Sequence, residues 1–106
     1  MSDGRVTGHE PEFRALFAQE AAKRLGAMDA NARALPDAEA VEELLRDAHT
    51  LKGSAAVVGY EEIARLLQAV ELTLTQATRG GLELTPEAIA EIAADIARVP
   101  ALMELA

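Results

Sequence analysis

The sequence predicts an all-α protein, an antiparallel up-down bundle of four helices, from three observations. Half of the 106 residues are hydrophobic and only 3% are aromatic, and this Ala-, Leu- and Glu-rich composition favours helices. Four segments space their apolar residues at i, i+3 and i+4, as amphipathic helices do. Short connections containing Pro or Gly separate them, which is typical of bundles. A chain of this length suffices for one core.

The first helix is expected to begin near Pro11, because proline suits a first helical turn, and to end by Leu35, before Pro36. Residues 1–9 are polar and show no periodicity. They are expected to form a flexible lead-in, which leaves residues 10–106 as the domain. The predicted buried stripe of this helix consists of Phe13, Leu16, Phe17, Ala21, Leu25 and Met28.

The second and third helices are expected to form a tight hairpin. Asp37 is a suitable N-cap for the second helix, and Gly59 is suited to end it. The third helix follows from Tyr60 to about Arg79, and Gly80-Gly81 ends it. The predicted core stripes are Val41, Leu44, Ala48, Leu51, Ala55 and Val58 in the second helix, and Ile63, Leu66, Leu67, Val70, Leu74 and Ala77 in the third.

The fourth helix is expected to start at Thr85-Pro86-Glu87, which supplies an N-cap, a proline at the first helical position and an acid in the first turn. Ile89, Ile92, Ala93 and Ile96 form its buried face. Pro100 is expected to interrupt the helix. Residues 101–106 then form either a frayed end or the start of a truncated fifth helix.

Charge and composition narrow the functional classes. The net charge is −8, with 18 acidic and 10 basic residues, which argues against nucleic acid and anionic membranes as partners. The absence of cysteine excludes disulfides and thiolate chemistry, and two distant histidines do not suggest a zinc site. No segment is apolar enough to insert in a membrane or to serve as a signal peptide. We therefore expect a cytoplasmic domain that is monomeric in isolation.

The second helix contains the most unusual motif, His49-Thr50-Leu51-Lys52-Gly53. Projected at about 100° per residue, His49 points roughly 120° away from the core stripe and should reach solvent. Lys52 and Gly53 lie one turn further along the same side. A glycine in a helix costs roughly 0.5–1 kcal/mol relative to alanine, so Gly53 calls for an explanation.

The motif suits phosphoryl transfer. A histidine imidazole is largely neutral at physiological pH and can act as a nucleophile. Lys52 would then stabilise the charge on a phosphoryl group at Nε2, and Gly53 would leave room for that group and for the surface of a protein donor or acceptor. Glu71 is twelve residues after Gly59 and His49 is ten before it, so a tight hairpin brings them to similar heights. Glu71 could then accept a hydrogen bond from Nδ1 and orient the ring.

Each of these residues also has an ordinary interpretation. An isolated histidine, lysine or glutamate on a helix is commonly a solvated side chain, and Gly53 could be a close contact between helices. The combination of all four at this spacing favours a site. His9, in the predicted lead-in, is expected to have no role.

At these residues the chain resembles a histidine phosphotransfer (HPt) domain, and more closely the N-terminal phosphotransfer domain of chemotaxis-type (CheA-like) histidine kinases. The resemblance covers about residues 11–99 and is carried by the segment 48–55, by Val58-Gly59-Tyr60, by Glu71 and by Thr78-Arg79-Gly80. One departure is Gln68, where some members carry a second histidine near the site. The departure leaves the hydrogen bonding of the site in doubt, but phosphotransfer should persist.

The resemblance implies an HPt-like bundle that relays phosphoryl groups. His49 would receive the group at Nε2 from the catalytic domain of a histidine kinase or from a receiver aspartate, and pass it to an aspartate of a response-regulator receiver domain. ATP and Mg²⁺ would belong to those partners, so this domain would bind no cofactor and have no autonomous enzymatic activity. It would be either a fragment of a kinase or a free-standing carrier. The alternative is a helical interaction module without phosphotransfer activity.

Overall fold

In the computed structural model, which describes the backbone of residues 2–105 and the side chains of residues 12–104, four helices form a ring. The helices are α1 (Ser2–Ala34), α2 (Ala38–Val57), α3 (Glu61–Arg79) and α4 (Pro86–Leu105). Contacts join α1 to α2, α2 to α3, α3 to α4 and α4 back to α1. This order confirms the predicted up-down four-helix bundle, and the described residues contain no fifth helix.

The sequence signals for helix ends are correct where side chains act as caps. Asp37 Oδ2 accepts a hydrogen bond of 3.1 Å from the backbone N–H of Ala40. Thr85 Oγ1 likewise accepts one of 3.0 Å from the N–H of Ala88. Between α2 and α3, Gly59 has a φ of +85°, a conformation that glycine adopts without steric cost. Asp37 and Thr85 thus set where α2 and α4 begin, and Gly59 lets the chain turn sharply from α2 into α3.

The core lies between all four helices and is entirely aliphatic at its centre. The six predicted α2 positions are all buried, and so are Ile63, Leu67, Val70 and Leu74 of α3. Leu66 and Ala77 are half-buried. From α4, Ile92, Ile96 and Val99 are buried, while Ile89 and Ala93 pack against them from the rim. Because α2 and α3 contribute so many buried positions, their relative register is well fixed.

The predicted stripe of α1 is wrong at its N-terminal end. Phe17, Ala21 and Met28 are buried, but Phe13 and Leu16 are 44% and 59% exposed. Phe17 already closes this end of the core by packing on Tyr60, with ring centroids 5.2 Å apart. Phe13 and Leu16 instead border a surface groove with the C-terminal end of α2. Periodicity identified the apolar face of α1 but not where along the helix the bundle ends.

Two predicted boundaries differ from the structure because helices continue through prolines. The helix α1 already includes residues 2–10, so its predicted start at Pro11 is wrong. The prediction rested on the spacing of apolar residues, which indicates the face of a helix that packs on a core. Residues 1–9 have no such stripe, and a helical segment that does not pack on the core gives no signal of this kind. Whether they are flexible stays a prediction. Likewise Pro100 lies inside α4. The fully buried Val99 before it, and Leu102 and Met103 after it, pack on the core and offset the roughly 3 kcal/mol that an interior proline costs.

Polar contacts fix the rotation of α2 against α1. Arg24 of α1 donates a 2.9 Å hydrogen bond to the carboxylate of Asp47 on α2. A second polar contact lies nearer the loop between the two helices, where Asn31 Nδ2 is 3.3 Å from Glu43 Oε1. With this side of α2 held on α1 and its stripe buried, the remaining side faces outward beside α3.

No helix in the described part of the chain is both long enough and apolar enough to cross a membrane.

Candidate functional site

His49 is presented on the outer surface of α2, as predicted. Its neighbours Ala48 and Leu51 are fully buried, whereas the side chain of His49 is 68% exposed. The buried residues hold the helix backbone rigidly, so the ring projects from a fixed base. Among the described residues, only Nδ1 of this ring takes part in a hydrogen bond. Nε2 is thus without a hydrogen-bond partner among these residues, on a side chain that is mostly exposed.

Glu71 of α3 lies directly against the inner edge of the imidazole. Its Oε2 is 2.7 Å from His49 Nδ1, which confirms the contact predicted from the hairpin register. Only 20% of the Glu71 side chain is exposed, so the carboxylate is held at the seam between α2 and α3. A short contact to a group of opposite polarity in this partly shielded place can fix the ring plane.

Lys52 binds the other oxygen of the same carboxylate. Its Nζ lies 2.6 Å from Glu71 Oε1 and 3.0 Å from Gln68 Oε1. The lysine side chain is 24% exposed, less than a free surface lysine would be. Glu71 thus bridges Lys52 and His49, one oxygen to each.

The charge on Glu71 determines the protonation pattern of the ring. Burial is the largest single influence and raises the pKa of the Glu71 carboxyl, but the hydrogen bonds and charges of Lys52 and His49 together outweigh it. The net result is a pKa below the ordinary value of 4.5, so Glu71 is ionised near neutral pH. An ionised carboxylate can only accept hydrogen bonds. When the ring is neutral, Nδ1 is therefore the nitrogen that carries the proton, and Nε2 keeps its lone pair.

Gly53 is not needed for close packing against the described residues of the other helices. A Cβ atom built on it would meet none of their atoms within 4 Å, which argues against the interpretation that a neighbouring helix requires glycine here. The residue is exposed and lies on the rim of a surface groove between α2 and α3 that also includes Lys52, Ala64 and Gln68. Space beside His49 is thus open to something outside the chain.

Over the described residues, there is no group of three or more His, Cys, Asp or Glu side chains that could hold a metal ion. The side chain of His9 lies outside the described residues, so its expected lack of a role stays a prediction.

Gln68 is the one member of the cluster to which sequence reasoning gave no contact. The residue was noticed only as a departure from the related domains. A usable signal exists, because Gln68 precedes Glu71 by three residues and therefore lies on the same side of α3. What the sequence lacks is the direction of the long Lys52 side chain, on which the contact depends.

A family model described as "Hpt domain" matches residues 12–102. In fold, the chain is similar to the phosphorylated P1 domain of CheA3 from R. sphaeroides, solved in complex with CheY6. The TM-score is 0.80 at 26% sequence identity, and the match covers 89% of this chain and 77% of that one.

Curated relatives are chemotaxis proteins. The chain is 34% identical over 74 residues to the chemotaxis protein CheA of Listeria monocytogenes, a match covering 66% of this chain and 12% of the relative. It is 43% identical over 49 residues to CheA of Halobacterium salinarum, covering 46% of this chain and 7% of that protein. The chain therefore corresponds to a small part of these relatives.

Proposed function

The chain belongs to the Hpt domain family, and from this premise we propose that His49 is the residue that accepts and passes on a phosphoryl group. The observation that carries the proposal is the 2.7 Å contact between His49 Nδ1 and Glu71 Oε2. In the neutral ring this contact leaves the lone pair on Nε2, and the side chain is 68% exposed. A histidine with that tautomer and exposure is a ready nucleophile.

In the loading step, the Nε2 lone pair attacks the phosphorus of a donor such as the γ-phosphoryl group of ATP held by a kinase domain. The N–P bond forms as the bond from phosphorus to the leaving oxygen of ADP breaks. The ring gains positive charge because Nδ1 keeps its proton. Glu71 stabilises that charge through Oε2, and this interaction is stronger in the transition state than in the resting ring.

In the unloading step, an aspartate oxygen of a receiver domain attacks the same phosphorus, and the N–P bond breaks. The electron pair returns to Nε2, and the ring becomes neutral again with its proton on Nδ1. Lys52 contributes a positive charge beside the phosphoryl group in both directions. Since the step is reversible at this site, a phosphorylated receiver could also load His49.

Two properties of the surface support protein partners as donor and acceptor. The imidazole side chain is 68% exposed on the outer face of α2, and Gly53 leaves open space one turn further along the helix. The R. sphaeroides relative was solved with CheY6 bound, which is the class of acceptor we propose here. ATP and Mg²⁺ would be held by the partner domains, and we expect these partners and this domain in the cytoplasm.

The proposal is tested by following one phosphoryl group through the chain. The purified chain is incubated with Mg²⁺-ATP, labelled in its γ-phosphoryl group, and a CheA kinase core, or with the small donor phosphoramidate, which needs no docking. We expect stable label in alkali that acid removes, as for phosphohistidine. Adding a CheY-type receiver domain and Mg²⁺ should then move the label to that domain.

The matched control uses the second histidine of the chain. His49→Gln should abolish labelling by both donors, while His9→Gln should leave it unchanged. Retained labelling in His49→Gln would refute the assignment of His49. If the wild-type chain takes no label from phosphoramidate or from any kinase tested, the protein is instead a helical interaction module without phosphotransfer activity.

A further inference from the structure

Among the described residues, Gln68 is hydrogen-bonded to the site through Lys52. Its Oε1 lies 3.0 Å from Lys52 Nζ, and its side chain is exposed and contributes nothing to the core. Gln68 and Glu71 are three residues apart on α3, so their oxygens approach the ammonium group from neighbouring positions on one helix face. Lys52 is thus held between two acceptors of different charge.

The chemistry of the ammonium group gives this arrangement a consequence. An ammonium has three N–H donors on a flexible four-carbon stem. One donor is bound by Glu71 Oε1 and one by Gln68 Oε1, which leaves one for a phosphoryl oxygen. Without Gln68, the ammonium could rotate toward both carboxylate oxygens of Glu71 and compete with His49 for Oε2.

The neutrality of the amide also matters. With Gln68, the cluster contains one cation and one anion, Lys52 and Glu71. A second carboxylate at position 68 would take a larger share of the lysine charge, and a histidine would change its own charge near neutral pH. The amide oxygen is an acceptor that leaves the charge of Lys52 available.

We propose that Gln68 is a positioning residue for phosphotransfer: it fixes Lys52 Nζ on Glu71 Oε1, so that Oε2 stays on His49 Nδ1 and one ammonium hydrogen stays free for the phosphoryl group. This inference rests on the proposed role of His49. It goes beyond that role because it makes Gln68 responsible for the position of the proton on the His49 ring and for the position of Lys52 Nζ, although Gln68 is hydrogen-bonded to neither the ring nor the phosphoryl group.

The kinetic test compares Gln68→Leu with the control Gln76→Leu, a glutamine substitution on the same helix at an exposed position. Phosphoramidate is the donor, so partner docking does not enter. Gln68→Leu should slow the phosphorylation of His49 by about threefold to tenfold, as expected for the loss of one hydrogen bond. Gln76→Leu should be indistinguishable from wild type.

A double-mutant cycle shows whether Gln68 acts through Lys52. Lys52→Met should itself slow the reaction, and adding Gln68→Leu to it should produce no further change, because the two residues act as one unit. Equal fold-effects of Gln68→Leu in both backgrounds would overturn the proposal. So would equal rates for Gln68→Leu and Gln76→Leu.

A measurement on the unphosphorylated protein keeps the test independent of catalysis. The ¹⁵N shifts of the His49 ring report which nitrogen carries the proton. At a pH where the ring is neutral, we expect the fraction protonated at Nδ1 to fall in Gln68→Leu and not in Gln76→Leu; an unchanged fraction would overturn the proposal. If wild type is not phosphorylated at all, the proposed function fails, while this measurement still decides the role of Gln68.

Discussion

Glu71 on α3 and Asp95 on α4 are both half-buried carboxylates, yet their pKa values are shifted in opposite directions. Burial raises the pKa of both. For Asp95 the neighbouring charge of Glu91 raises it further, Arg98 offsets only part of this, and the net shift is upward. For Glu71, Lys52 and His49 reverse the effect of burial.

The difference arises because Glu71 has hydrogen-bonding partners on a neighbouring helix, whereas the charged groups that influence Asp95 lie on its own helix. Burial alone favours a neutral carboxyl group. Where α2 supplies a lysine and a histidine across the helix seam, the pKa of the carboxyl group falls instead. Glu71 is therefore held ionised by its partners on α2 and should stabilise the fold, whereas the ionised form of Asp95 is disfavoured by its surroundings. Substitutions of the two residues form a matched pair.

The largest expected contrast is in phosphotransfer. Glu71→Gln keeps the shape of the side chain but removes the charge that stabilises the ring. A hydrogen bond to a charged group contributes about 1.5–3 kcal/mol, which corresponds to roughly a 10- to 100-fold loss of rate. Asp95→Asn should not change the rate. Initial rates of His49 phosphorylation check both, and a Glu71→Gln rate within a factor of two of the Asp95→Asn rate would break the comparison.

A second contrast separates the protein partner from the phosphoryl group. Gly53→Ala and Gly26→Ala both place a methyl group in open space on an exposed helix surface, and each should raise stability by about 0.5–1 kcal/mol. Only Gly53 lies beside His49. An added methyl in a packed interface costs roughly 1–3 kcal/mol, so transfer from Gly53→Ala to a receiver domain should be about tenfold slower.

The small donor provides the control for this experiment. Phosphoramidate should phosphorylate Gly53→Ala, Gly26→Ala and wild type at similar rates. If phosphoramidate is also slowed, the glycine provides room for the phosphoryl group rather than for the partner. If no reaction of Gly53→Ala is slowed, Gly53 has no role in clearance.

How much of the fold and of the candidate site can be predicted from the sequence depends on the kind of interaction involved. Asp37, Gly59 and Thr85 were placed correctly because their roles are local and short side chains leave little choice. Glu71 was found because the hairpin connection is short and fixes the register of two helices. The exposure of Phe13 and the helix through Pro100 were missed, because each depends on where the packed core ends in three dimensions.

The smallest expected contrast is in the pH dependence of stability. The pKa of Glu71 is lowered by folding, so its contribution is present above about 4.5 and is lost as the pH falls through the lower folded value. The pKa of Asp95 is raised, so its penalty is absent below 3.8 and appears as the pH rises through the higher folded value. Each effect should be at most about 1 kcal/mol.

Urea unfolding at pH 7 and at several values below 4.5 measures both effects. At pH 7, Glu71→Gln should be less stable than wild type and Asp95→Asn slightly more stable. Both differences should shrink in acid. Differences of the same sign at pH 7 would mean that the partners of Glu71 do not outweigh its burial.

The most direct test of the central claim is the position of the phosphoryl group on the ring. The chain, labelled with ¹⁵N in histidine, is phosphorylated by phosphoramidate, and ³¹P–¹⁵N coupling identifies the bonded nitrogen. We predict one phosphohistidine, at Nε2 of His49, with Nδ1 still protonated and bound to Glu71. A phosphoryl group at Nδ1, or on His9, would contradict the account, because the Glu71 contact would then not be what prepares His49 for reaction.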